Sequence, residues 1–203
     1  MLKRQIKKYI LLFSTFVFGA CVTAEEMREM IGPVRPVPTV DLNKYLGTWY
    51  EIAAIPQFFQ KDCVANTRAE YSAGEGGLIK VVNSCDTASG ERKVAEGRAK
   101  VVNQTTQSQL KVTFVKLWNW IFTLGGDYWI LDLGPQYSYS VVGEGSRKYA
   151  WILSRTPKME MDSLREAESH LRLQGYDTCK LLTSLQTQGG FSKRIPLCEM
   201  VRI

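Results

Sequence analysis

Histidine is almost missing from this 203-residue chain, which has only His170. A metal cluster, a Ser–His–Asp arrangement or a Cys–His pair would each need a histidine inside the site. His170 falls in a helical pattern and is expected on the polar side, facing solvent. No glycine-rich loop precedes a helix, so a phosphate cradle is not expected either. Internal repeats and low-complexity segments are absent. The apolar run from Tyr9 to Ala20 is too short to cross a bilayer comfortably. The chain therefore reads as a binder without metal or cofactor rather than an enzyme.

Lys3, Arg4, Lys7 and Lys8 precede that apolar run, and small residues follow it. This order describes a secretory signal over residues 1–20. The segment Val17-Phe18-Gly19-Ala20-Cys21 resembles the bacterial lipobox, with Phe18 at a usually aliphatic position. That resemblance implies a lipid-modified Cys21 at the head of the mature chain and a membrane anchor. Val22 after the cysteine, in place of aspartate, implies the outer membrane, with the protein facing the periplasm.

Without its signal the chain keeps 22 of its 26 basic residues against 20 acidic ones, a net charge of about +2. No basic stripe interleaved with aromatics is visible, so nucleic acid is not an expected partner. Residues 21–40 include Pro33, Pro36 and Pro38 and read as an extended tether. The domain is expected to span residues 41–203, enough for one core.

From Asp41 on, short β-runs alternate with turn signals. Asp41 caps a helical turn ending at Gly47, and Thr48 to Ile55 forms the first strand. Hairpins follow: Val64 to Ser72 with Gly77 to Ser84, Lys93 to Val102 with Gln109 to Lys116, and Asp127 to Leu133 with Tyr137 to Glu144. Lys148 to Arg155 is the eighth strand. Short connections imply an antiparallel meander, and eight strands can close into an up-and-down barrel without edges. A helix capped by Asp162 or Ser163 follows, with Glu166 in a capping box and Gly175 at its end. It is expected to pack outside the barrel. Cys179 to Ser184 reads as a short ninth strand. The fold class is all-β with one packed helix.

Three motifs now stand in order: Gly47-Thr48-Trp49-Tyr50-Glu51-Ile52, Gly126-Asp127-Tyr128-Trp129-Ile130-Leu131, and Tyr149 to Pro157 (Tyr-Ala-Trp-Ile-Leu-Ser-Arg-Thr-Pro). Together they resemble the lipocalin family, in particular its bacterial outer-membrane, apolipoprotein D-like members, from Asp41 to about Ser184. The resemblance implies that Trp49 plugs the closed end of the barrel and that Arg155 lies across its ring. Such a contact contributes roughly 0.5–2 kcal/mol. Gly47 would let the preceding turn swing beneath the barrel.

Strand alternation extends this reading to a lining. Leu153 and Trp151 share the face of Arg155, while Glu51, Ala53 and Ile55 share that of Trp49. Tyr128 and Ile130 share a face, which the resemblance of the second motif implies is the inner one, with Ser140 and Val142 inward on the next strand. Trp129, one residue out of phase, should face the exterior. The lining is aromatic and aliphatic with one carboxyl and a few hydroxyls, which suits a fatty acid or lysophospholipid. A monomer or weak dimer is expected.

Four cysteines remain beside Cys21, in a compartment where disulfides persist. Cys63 and Cys85 lie on strands flanking one hairpin, which leaves Cys179 to join Cys198. The resemblance supports a rival, Cys63–Cys198 with Cys85–Cys179, because apolipoprotein D links its second-strand cysteine to its tail. Two other functions stay open. One is a lipid-modifying enzyme using a free Cys63 thiolate, as in the lipocalin-type prostaglandin synthase. The other is a structural envelope lipoprotein with no ligand.

Overall fold

The computed structural model describes residues 32–203. The signal stretch 1–20, Cys21 and the first part of the tether lie outside these residues.

Among them, nine strands form one sheet. They are β1 (Gly47–Ala54), β2 (Cys63–Ala73), β3 (Ile79–Thr87), β4 (Arg92–Val101), β5 (Gln109–Thr113), β6 (Gly126–Leu133), β7 (Tyr139–Gly143), β8 (Ala150–Ser154) and β9 (Leu182–Thr183). Neighbours in sequence pair antiparallel from β1 to β8, and β8 pairs back with β1 to close the barrel. Beyond Tyr50, β1 leaves β2, and its end pairs with β9 instead. The expected eight-stranded barrel, ninth strand and late helix are all present.

Two apolar clusters divide the chain. The inner one contains Trp49, Tyr71, Val81, Ala99, Leu110, Ile130, Val142 and Leu153. The outer one joins the barrel wall at Ile52, Leu131, Val141 and Ile152 to Leu164, Ala167 and Leu171. Those last three lie on one stripe of the longest helix, α2 (Met161–Leu173). A closed barrel offers a helix only its outer wall.

Several expectations need correction. The segment from Gly32 to Val40 is docked rather than a free tether. Val34 is buried in the outer cluster and Val40 in the inner one, while Val37 N donates to Ile130 O at 2.9 Å. Three valines among the prolines carry enough apolar surface to hold an extended strap against the barrel. The helix begins before its expected cap. Glu160 is the N-cap and makes no side-chain capping bond, while Met159 and Met161 seat the helix start on the outer cluster. His170 is half-buried, with Nδ1 3.8 Å from Asp132 Oδ2 on the barrel wall, so it does not face solvent freely. Asp41 does cap the first turn, α1 (Leu42–Tyr45), accepting from Asn43 N and Lys44 N.

The structure pairs Cys63 with Cys85 and Cys179 with Cys198. The first bridge spans the open end of the β2–β3 hairpin. The second ties the C-terminal turn α3 (Leu197–Met200) to the residues just before β9.

Candidate functional site

Hairpin connections alternate between the ends of the barrel, and one end is sealed. Trp49 is fully buried there, and its Nε1 donates to Tyr45 O at 2.8 Å. The guanidinium carbon of Arg155 lies 3.7 Å from the centroid of the indole, at cation–π distance. Arg155 also donates to Thr48 O at 3.0 Å, Lys44 O at 2.6 Å and Tyr137 O at 3.3 Å. It thus ties α1, β1 and the β6–β7 connection together beneath the plug. Gly47 sits at φ +99°, and a Cβ there would meet Arg155 Nη1 at 3.3 Å. Glycine suits both conditions.

A layer of tyrosines rests on the plug. Tyr45 Oη lies 2.7 Å from Tyr128 Oη and 3.1 Å from Ser140 Oγ, while Tyr71 Oη donates to Tyr128 Oη at 3.1 Å. The Tyr45 ring is 5.0 Å from Trp49 and 5.7 Å from Tyr71. Burial pushes the Tyr45 phenol up to about 12 and raises Tyr71 and Tyr128 as well. These groups stay neutral near pH 7, as hydroxyl donors and acceptors in an otherwise apolar wall. Tyr45 and Tyr71 are absent from the sequence-based lining. Alternation along β2 from Ala69 marks Tyr71, but only the fold of α1 under the barrel brings in Tyr45.

Ile130, Val142 and Leu153 join the inner cluster, and Ser140 bonds within it. Trp151 and Tyr128 pack against it while remaining partly accessible. Trp151 stacks on Tyr149 toward the mouth, with ring centroids 6.3 Å apart. Trp129 packs on the outer cluster. On the inner wall Phe114 covers Gly97, where a Cβ would approach the ring to 2.8 Å.

Ala53 and Ile55 do not line the interior. Glu51 pairs with Leu153, but Ala53 pairs with Ile152, so β1 gains one residue on β8 at this point. This bulge puts Ile52 and Ala53 both in the outer cluster, and Ile55 packs there too. Ala54 takes the inner register opposite Trp151 instead. A second bulge between Ile130 and Asp132 leaves Leu131 and Asp132 both outward and returns Leu133 to the inner cluster. No residue type in Ile52-Ala53-Ala54 announces the first bulge.

Glu51 is buried but turned to the seam between β1 and β9. It accepts from Ser184 Oγ at 2.6 Å and Gln60 Nε2 at 2.9 Å, and it borders a cavity of about 80 Å³ beside Cys63 and Arg194. Burial raises its carboxyl above the ordinary range, against the two hydrogen bonds. Both oxygens are partnered, so Glu51 is a satisfied group of the seam. Cys63, engaged in its bridge, has no thiol to offer the lipid-modifying reading.

The sequence profile of a lipocalin-like domain matches residues 40–186. The chain is a lipocalin. It is 37% identical over 147 residues to temperature-induced lipocalin-1 of Arabidopsis thaliana, covering 71% of this chain and 78% of that one. Identity to the outer membrane lipoprotein Blc of Vibrio cholerae is 36% over 151 residues, or 73% and 84% of the two chains. Apolipoprotein D of Rattus norvegicus is 32% identical over 188 residues, covering 87% of this lipocalin and 94% of that protein. Among solved structures, insecticyanin from the tobacco hornworm Manduca sexta superposes with a TM-score of 0.62 at 23% identity. That match covers 77% of this lipocalin and 86% of insecticyanin, and it bears on the fold alone.

Proposed function

We propose that this lipocalin carries a single-chain amphiphile, a fatty acid or lysophospholipid, in its barrel while anchored to the bacterial outer membrane through Cys21. The observation that carries the ligand reading is the inner wall. Ile130, Val142 and Leu153 make it apolar, Trp49 and Arg155 close one end, and Tyr128 and Trp151 remain partly accessible from the other. An acyl chain needs contact without direction, which aliphatic and aromatic side chains provide, and a polar head is served by hydroxyls or by the water-filled mouth. Ala54 and Phe114 belong to the proposed lining, and Ala53 and Ile55 do not.

The anchor reading is supported by the Ala20-Cys21 sequence and by likeness to relatives named outer membrane lipoproteins. Native mass spectrometry of the delipidated protein, exposed to a bacterial lipid extract, tests the cargo. A one-to-one adduct of a fatty acid or lysophospholipid is expected. Absence of any adduct would return the ligand-free structural reading. Cells fed labelled palmitate should label the parent protein and leave Cys21→Ser unlabelled.

A further inference from the structure

The connection between β5 and β6, residues 114–125, does not project freely from the mouth. It folds back on the outer wall of β4 and β5. Thr113 Oγ1 donates to Ile121 O at 2.9 Å, and Ile121 N donates to Val115 O at 2.9 Å. The fold sets aromatic rings among cations from β4 and from the connection itself. The Arg98 guanidinium lies 4.8 Å from the centroid of Trp120, Lys116 Nζ 5.3 Å from the same ring, and Lys100 Nζ 4.8 Å from Phe122. Beside them opens a groove of about 640 Å³ lined by Lys100, Lys111, Leu117, Trp118, Trp120 and Phe122. Trp118 is 89% exposed, and Leu117 and Leu124 are each 67% exposed. Arg98 is paired with Glu96, and Lys111 with Asp127. Among the described residues, no carboxylate lies within ion-pair distance of Lys100 or Lys116.

We propose that this surface is a docking face for an anionic phospholipid bilayer. Tryptophan, leucine and phenylalanine side by side with unpaired lysines form the composition of a membrane interface. Indoles there sit at headgroup depth, and cations meet negative lipid. A pinned loop holds the rings ready, so little ordering entropy is lost on contact. A second copy of the chain fits this face poorly. A twofold contact would gather two copies each of Lys100 and Lys116 into one desolvated interface.

The described chain begins near the end of the barrel from which this connection starts. Gly32, where the described chain begins, has its carbonyl held by Arg147 Nη2 at 2.6 Å, and Arg147 belongs to the β7–β8 connection at the mouth. The described chain therefore starts beside the open end. Phe58, 80% exposed on the β1–β2 connection, lies on that rim as well. Docking on this face stands whether or not the barrel carries a ligand.

The test uses protein beginning at Val22, which has no Cys21 and retains the described barrel, helix and both disulfides. It is floated with vesicles of phosphatidylcholine alone or of phosphatidylcholine mixed with phosphatidylglycerol. Co-flotation is expected with the mixed vesicles only and should fall as salt rises. Lys100→Gln and Lys116→Gln should each weaken it about fivefold, the equivalent of roughly 1 kcal/mol per lysine at an anionic surface. Brominated lipid should quench the parent protein more than Trp118→Phe. Equal flotation with both vesicle types, or binding indifferent to both lysine substitutions, would overturn the proposal. So would a failure to bind vesicles combined with a concentration-dependent dimer that Trp118→Ser dissolves, which would make the face a self-contact. Unchanged melting temperatures for these surface variants exclude unfolding as the cause.

Discussion

At the closed end of the barrel Trp49 is fully buried, its indole nitrogen donates to a backbone carbonyl, and Arg155 spends its own donors on three more. On the connections that leave the open end Trp118 and Phe58 stand in solvent, and lysines rather than carbonyls lie against the neighbouring rings of Trp120 and Phe122. Both ends pair cations with aromatics, but the pairing serves different ends. Dry and enclosed, it holds three chain segments together. Wet and unpartnered, it adds little to folding and leaves its contact energy for another surface. Stability is concentrated where the barrel is sealed, and recognition is left to the connections around the mouth.

The sharpest way to break this comparison is to empty the plug. Trp49→Ala should lose about 3–5 kcal/mol in urea unfolding, the range for truncating a large buried aromatic. Trp118→Ala, the same chemical change at the mouth, should stay within about 0.5 kcal/mol of the parent. Arg155→Ala should fall between them. Equal losses at the two tryptophans would end the division of labour proposed here.

A smaller effect is expected midway along the wall. Trp151 is half-buried among inner residues, so Trp151→Ala should weaken binding of a lysophospholipid by roughly 1.5–3 kcal/mol. The fold should tolerate this loss better than Trp49→Ala, because water can enter a site near the mouth. In single-tryptophan variants Trp151 should report ligand by fluorescence and Trp129 should be silent. A response at Trp129 alone would reverse the assignment of inner and outer faces.

The tyrosine layer above the plug offers the mildest perturbation. Its folded-state values are raised above 10, with Tyr45 at about 12, so the phenols bind protons more tightly in the folded chain than in the unfolded one. Their contribution is complete below pH 10 and is lost at higher pH, that of Tyr45 as pH rises through about 12. Absorbance of the phenolates should show this layer ionising only above pH 10, delayed until the barrel opens. Ionisation of all tyrosines together near 10 would mean that the layer is wet.

Local chemistry alone settled a good deal of this protein. Alternating runs between glycine and asparagine turns marked eight strands in order, and the stripe of Leu164, Ala167 and Leu171 marked the helix. The three motifs singled out Gly47, Trp49 and Arg155, and hairpin proximity favoured the observed Cys63–Cys85 bridge over its rival. These features depend on residues close in sequence or on strict periodicity. The tertiary structure decided where periodicity breaks. The β1 bulge sends Ala53 and Ile55 outward and Ala54 inward, because barrel closure and the docking of β9 require an extra residue there. It also made Val34, Val37 and Val40 into a strap, since their value as apolar anchors exists only once a barrel lies above them. Lys100, Lys116 and Trp120 show no stripe along the chain. They become one cationic and aromatic surface only when the β5–β6 connection folds back over β4, bringing together groups that one-dimensional spacing keeps apart.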